Sequence, residues 1–324
     1  MTGREPLVVV LGATGVIGSV LTGWLATRPL RVRAVGRRPV PVPGGGRAAV
    51  EVQQADVTDA RVLRSTVDDA DVVVHLLADS GGSTRAGLNV EVMSGLLDAL
   101  GSRPSRPVPA AVVYAGSVTQ VGDPPRTVLD GTEADRPGTA FDRDKHAAER
   151  VLLRASADGR VRGVSVRLPT VYGHSPATGR FDSGVLTLMI RRAIAGEALT
   201  MWHDGTVQRD LLHVRDAAAA LMAALDHVDA LAGRHWLAGT GVGTPLGAAF
   251  RAVAGIVARR TGTSPVHVVQ VRPPRALSAA ETASAVVDPS AFHERTGWAA
   301  RVPLDDGLEW TVAAALESRA DSPH

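Results

Sequence analysis

The chain has 324 residues, of which 45% are apolar and only 3% aromatic, enough for one large domain or two whose core must come from Val, Leu and Ala. A formal charge of +2 with no basic block gives nucleic-acid binding no support, and the absence of cysteine excludes disulfides and thiolate metal sites. No apolar run approaches membrane length and no charged leader precedes the first apolar run, so a cytoplasmic chain with no membrane partner is expected.

Leu7 to Leu11 reads as a strand buried on both faces, and Gly12-Ala13-Thr14-Gly15-Val16-Ile17-Gly18 follows it. Three glycines spaced G-x-x-G-x-x-G between a strand and an amphipathic helix predict a dinucleotide cradle. Without a Cβ the loop backbone approaches a pyrophosphate, and the first helical amides point at its charge. Leu30 to Val35 predicts a second strand ending at Gly36-Arg37-Arg38. In dinucleotide folds that strand end meets the adenosine ribose, where a carboxylate selects the 2′-hydroxyl and arginine accommodates a 2′-phosphate. Arg37 and Arg38 with no acid predict NADP(H), that is NADPH/NADP, rather than NAD(H).

Val50 and Val52 predict a third strand, and Asp56-Val57 after it would bring a carboxylate near the adenine amine or make a plain surface turn. Val72 to Leu77 is the fourth strand, whose Leu77-Ala78 end would run beneath the nicotinamide half of the cofactor; His75 reads as a packed strand residue. Asn89 to Leu100 is helical, Ala110 to Ala115 the fifth strand, Phe141 to Ala155 a helix and Gly163 to Leu168 the sixth strand. Strands alternating with helices imply right-handed crossovers and a doubly wound parallel sheet of the Rossmann type. Beyond Pro169 the rhythm changes. Residues 170 to 210 read as short helical pieces and loops, helices follow at Asp216 to Leu225 and Leu246 to Arg260, a strand at Arg234 to Ala238, and Ser318 to His324 look frayed. The expected division is a dinucleotide domain, 1–169 plus parts of 211–238, and a smaller substrate domain, 170–210 and 239–324.

Lys145 is the only lysine; every other one of the 35 basic residues is arginine. Such a bias suits a GC-rich coding sequence, so the exception asks for a chemical reason. The ten histidines show no metal-ligand spacing, and no metal is expected.

Taken together, Gly12/Gly15/Gly18, Asp56-Val57, the helix opening Asn89-Val90, Ser117, Lys145-His146-Ala147-Ala148-Glu149, Arg167-Leu168-Pro169-Thr170-Val171-Tyr172-Gly173, Arg209-Asp210-Leu211-Leu212-His213-Val214 and Asp288-Pro289 resemble the extended short-chain dehydrogenase/reductase family. Within it the chain looks like the reductases of nucleotide-linked (dTDP) 4-keto-6-deoxysugars. The resemblance implies a catalytic Ser, Tyr and Lys, the last two spaced Y-x-x-x-K so that one helix face brings an ammonium to a phenol. Ser117 and Lys145 occupy two of these positions, and Phe141 stands where the Tyr belongs. It also implies cofactor contacts at Leu168 and Pro169 and a diphosphate contact at Arg209; Arg272 or Arg275 reads as a second such contact or a plain surface charge, Tyr172 as lining the sugar pocket with His174 or packing under the nicotinamide, and Trp202 and His203 as a loop that stacks on the base. Members of the family often pair through two helices, for which the Asn89 and Phe141 helices are the candidates for a homodimer.

Phe141 keeps the ring and removes the oxygen that would exchange the proton. Three explanations stand: a tyrosine deliberately exchanged to trap a complex; a native site in which Thr119, Asp142, Asp144, His146 or a water held by Ser117 moves the proton; or an NADP(H)-binding regulatory protein without turnover. Thr119-Gln120 after Ser117, in place of Asp-Glu, and Arg37-Arg38 favour net reduction of a C4 ketone in deoxysugar biosynthesis. A nucleotide-sugar epimerase or dehydratase is the alternative.

Overall fold

Five aliphatic residues in a row make β1 (Leu7–Leu11), and all five are buried, so the strand lies inside a sheet covered on both faces. The computed structural model describes residues 4–41, 45–77, 87–103, 107–273, 277 and 282–320; Ala78 and Arg275 lie outside them. After β1 come α1 (Val16–Leu25), β2 (Arg31–Gly36), β3 (Ala49–Gln54), α2 (Ala60–Val67), β4 (Val72–His75), α3 (Leu88–Gly101) and β5 (Ala111–Ser117). A single 3-10 turn at Val118–Val121 and a short β6 (Val128–Leu129) lead to α4 (Ala140–Ala157) and β7 (Arg162–Leu168). The remainder is β8 (Thr170–Tyr172), α5 (Val185–Ile194), β9 (Leu199–Met201), β10 (Gln208–His213), α6 (Val214–Asp226), α7 (Val228–Leu231), β11 (Arg234–Leu237), β12 (Gly243–Pro245), α8 (Leu246–Thr261), β13 (Val268–Gln270), β14 (Val286–Val287), α9 (Ser290–Thr296) and α10 (Leu304–Ala320).

Seven of these strands form one parallel sheet in the order β3-β2-β1-β4-β5-β7-β11. The order reverses between β1 and β4, which opens a crevice at the carboxyl ends of those strands. One face carries α1 and α6, whose Leu21, Leu25, Ala217 and Leu221 meet Val8, Val10 and Val74. The other carries α2, α3 and α4 through Leu63, Met93, Leu96 and Leu152 against Val9, Val73 and Val112. Each fully buried Val or Leu contributes roughly 1.5–3 kcal/mol over its exposed state. The expected doubly wound sheet is therefore present.

The second half departs from expectation in three places. Residues 170–210 hold strands as well as a helix: β8 pairs with β10, which also takes β12 on its other edge. Of the stretch expected to fray, Ser318 to Ala320 are helical at the end of α10, where Arg319 Nη1 donates to Ile194 O at 2.6 Å, and Asp321 to His324 lie outside the described residues. Finally, α9 and Trp298 pack with the first sheet rather than the second unit: Phe292 and Trp298 join the cluster of α1 and α6.

Candidate active site

Gly12 has φ +92°, a left-handed conformation that favours glycine, and its N–H, like that of Ala13, donates to Val35 O at 3.0 Å. The tight turn drives α1 so close that a Cβ on Gly18 would lie 2.2 Å from Gly12 O. Thr14 packs against Gly36 in the same way, a Cβ there falling 2.6 Å from Thr14 Cγ2. The N-cap of α1 is Gly15, which makes no side-chain capping bond, and no acid stands in the first turn, where Val16 and Ile17 are half-buried. Such a helix start offers its free N–H groups to an anion, so the residues fit the pyrophosphate of a dinucleotide. Gly18→Ala is expected to weaken dinucleotide binding at least tenfold and cost about 1–3 kcal/mol, measured by cofactor fluorescence titration and urea unfolding.

Arg37 and Arg38 are exposed just past β2, and neither side chain is drawn into an ion pair among the described residues. Asp56 is exposed and its Oδ1 accepts from Thr58 N and Thr58 Oγ1 at 3.0 and 2.8 Å, so its carboxylate builds the turn before α2, while Val57 is buried in the core.

At the opposite side of the crevice, α4 brings Lys145 between the ends of β4 and β5. Its Nζ donates to Ala115 O at 2.9 Å and Leu77 O at 3.2 Å, leaving one ammonium hydrogen for a ligand. Burial pushes the ammonium down to about 8, with Asp144 pulling weakly upward. The Tyr114 ring lies 4.8 Å from Nζ and the Phe141 ring 5.9 Å. Buried His75 packs edge-on to Tyr114, and burial together with the Lys145 charge lowers it to about 3, so it is neutral core. Phe141 itself is 40% exposed in the first turn of α4.

Ser117 ends β5 and caps the 3-10 turn: Thr119 N donates to its Oγ at 3.3 Å, and its own N donates to Gln120 Oε1 at 3.0 Å. Gln120 is fully buried and donates through Nε2 to Glu149 Oε1 at 3.2 Å. Glu149 in turn accepts from Ser165 Oγ at 2.6 Å and from Arg167 Nε at 3.0 Å, and Arg167 reaches Asp135 with both terminal nitrogens. This buried ion-pair network fixes the floor under Ser117, and its role has no signature in residue spacing.

The proposed proton sources separate cleanly. Asp144 accepts from Asn89 N and Nδ2 and from Val90 N, so it caps α3 and is spent there. His146 sits 3.4 Å from Asp135, on the network side. Thr119 and Asp142 remain: Ser117 Oγ and Thr119 Oγ1 are 2.7 Å apart, and Thr119 Oγ1 donates to Asp142 Oδ1.

A cleft open to solvent adjoins these groups and is lined by Thr119, Pro169, Thr170, Arg209 and Asp210 among others. Leu168 lies in the core directly before it. Arg209 Nη1 donates to Gln208 O and Ala283 O at 3.0 and 2.5 Å, and burial lowers its pKa. Three expected substrate contacts do not line this cleft. Tyr172 is 1% exposed with its hydroxyl donating to Leu304 O at 3.4 Å, because the α10 backbone at Gly307 closes over it. His174 pairs across a bridge with Phe181 and stacks on it at 5.6 Å, and Arg272 is exposed beyond β13. The local direction of 170–174 is set by pairing with β10, which turns Tyr172 inward.

Sheet order, glycine turn and the lysine beside a strand-end serine define a Rossmann protein of the short-chain dehydrogenase/reductase type. The chain belongs to the NAD-dependent epimerase/dehydratase family, whose model matches residues 8–239. It is similar to a dTDP-6-deoxy-L-talose 4-dehydrogenase (NAD(P)(+)) of Kitasatospora kifunensis, 27% identical over 94% of this chain and 95% of that one. A dTDP-L-rhamnose 4-epimerase of Burkholderia thailandensis is 26% identical over 67% of this chain and 72% of its own. Among solved structures, a UDP-glucose 4-epimerase from Thermotoga maritima superposes with a TM-score of 0.80 at 20% identity, covering 97% of this chain and 99% of that one. Family membership makes a nicotinamide dinucleotide the cofactor class. No helix among the described residues is long and apolar enough to cross a membrane.

Proposed function

We propose that this protein transfers hydride between a nicotinamide dinucleotide and C4 of a dTDP-linked 6-deoxysugar. The observation that carries the reading is Lys145, a buried ammonium with one hydrogen to spare, set beside Ser117 at the carboxyl edge of the sheet. When bound, the dinucleotide supplies or accepts the hydride; Lys145 orients its ribose, Ser117 holds the sugar oxygen, and Arg209 faces the diphosphate. Both relatives act at position 4 of a dTDP-linked sugar according to their names, which supports that substrate class.

The family match favours oxidation at C4, as in epimerisation, over the net reduction first expected from Arg37 and Arg38. Elimination of water finds less support, since Gln120 is turned inward onto Ser117 N and Glu149. Reduction of a 4-ketone by NADPH is the second reading, favoured by the two exposed arginines, which pair with no carboxylate among the described residues. Incubation of the protein with dTDP-4-keto-6-deoxyglucose and with dTDP-rhamnose, each with NAD(H) or NADP(H), separates the two. Inversion at C4 without net change at 340 nm marks the first, and stoichiometric NADPH loss marks the second. Dinucleotide binding with neither change would refute both and leave a regulatory binder.

A further inference from the structure

The position four residues before Lys145 carries no hydroxyl, yet a chain of hydroxyls ending on a carboxylate starts at Ser117, the family's substrate-holding position. Thr119 Oγ1 has one hydrogen, and it goes to Asp142 Oδ1. The hydrogen in the 2.7 Å contact between Ser117 Oγ and Thr119 Oγ1 must therefore come from Ser117. The second oxygen of Asp142 accepts from Thr139 Oγ1 at 2.6 Å, so both of its carboxylate oxygens receive hydroxyl hydrogens. Asp142 is 2% exposed and pairs with no cation among the described residues. Capping α4 needs only the Thr139–Asp142 pair. The contact with Thr119, from a different element, adds nothing to the cap.

We infer that Ser117, Thr119 and Asp142 form a directed proton relay that replaces the missing phenol, running from the sugar hydroxyl toward the Asp142 carboxylate. The inference rests on the proposed function and specifies how its site moves the proton. In the oxidising direction the C4–H bond breaks and its electron pair leaves with the hydrogen as hydride, which a dinucleotide held by the Gly12–Gly18 turn and Lys145 would take up. The C4 hydroxyl proton passes to Ser117 Oγ as the O–H pair becomes the second bond of the ketone; Ser117 gives its own proton to Thr119, and Thr119 gives its proton to Asp142. Reduction runs every transfer backwards from a protonated Asp142. Ser117 touches the substrate; Thr119 and Asp142 act through it. The order of donors makes oxidation the direction for which the resting chain is already aligned, in agreement with the epimerase form.

Thr119→Val cuts the chain while leaving the Thr139–Asp142 cap in place, and Thr119→Ser restores it. The expected result is a kcat lowered about 10²-fold in Thr119→Val, with KM and the dinucleotide dissociation constant, read by fluorescence titration, within threefold of the unmodified protein. Thr119→Ser should recover turnover to within about fivefold, and Asp142→Asn should match Thr119→Val. Rates in mixtures of H2O and D2O should give a curved proton inventory in the unmodified protein and a linear one in Thr119→Val. Full turnover in Thr119→Val, or a loss that appears in KM and cofactor affinity instead of kcat, would overturn the relay while leaving hydride transfer standing. An unmodified protein that binds the dinucleotide and is inert toward every dTDP-sugar would overturn the functional reading and the relay with it.

Discussion

Lys145→Met is expected to lower turnover by about 10³-fold, with a smaller loss in dinucleotide affinity. Methionine keeps an unbranched side chain of similar length beside Leu77 and Ala115 but offers neither a charge nor a donor to a ribose. The loss has a pH signature. Burial holds the Lys145 ammonium at about 8, so the charged form, and with it kcat/KM, declines as pH rises through that value. Stability should move the other way. In the unfolded chain the lysine keeps its ordinary value of 10.5, so between about 8 and 10.5 the unfolded state binds more protons and the folded state gains stability with rising pH. Alkaline loss of activity accompanied by rising resistance to urea therefore assigns the limb to Lys145 and not to unfolding. The Met variant should show neither change, and an alkaline limb that survives the substitution would remove Lys145 from the site.

The parts of this site that were legible in sequence are those set by the backbone or by rarity. Gly15 and Gly18 announce themselves because a Cβ on either would press on the Gly12 backbone only three and six residues away, and Gly12 because it takes a positive φ with the Leu76 backbone at the end of neighbouring β4 against it. Lys145 stands out because the chain uses arginine everywhere else. Long amphipathic helices such as α4 and α8 carry enough periods to be read. Strands β8 and β9, at three residues each, do not: they exist because partners far along the chain, Leu211 to His213 and Val268 to Gln270, supply their hydrogen bonds. The same cause misplaced Tyr172, whose side-chain direction follows from that pairing. Thr119 and Asp142 are 23 residues apart and meet only because β5 and α4 are neighbours. Their separate candidacies were legible, and their contact was not.

Arg167→Met should be the most damaging single substitution to stability, at about 3–5 kcal/mol in urea unfolding. Arg167 is 1% exposed, and it serves both Glu149, at 2% side-chain exposure, and Asp135. Burial works against its charge, but the two carboxylates more than offset that and raise its pKa. Burial alone would likewise raise Glu149; the Arg167 guanidinium and the Ser165 hydroxyl reverse this and hold it low. Remove the guanidinium and an uncompensated carboxylate is left in the core beneath Gln120, where it takes up a proton or drags in water. Because Glu149 titrates low in the fold, the stability its ionisation contributes is present above the ordinary glutamate range and lost as pH falls through its depressed value; Arg167→Met should abolish that acid sensitivity. Glu149→Gln in the same chain should return part of the lost stability, since it removes the stranded charge and keeps an acceptor for Gln120. If the double variant is as unstable as the sum of the singles, the two residues do not act as a pair. Turnover supplies the last discriminant: Gln120 holds Ser117 N, so loosening the network should cost activity at temperatures where the variant is still folded.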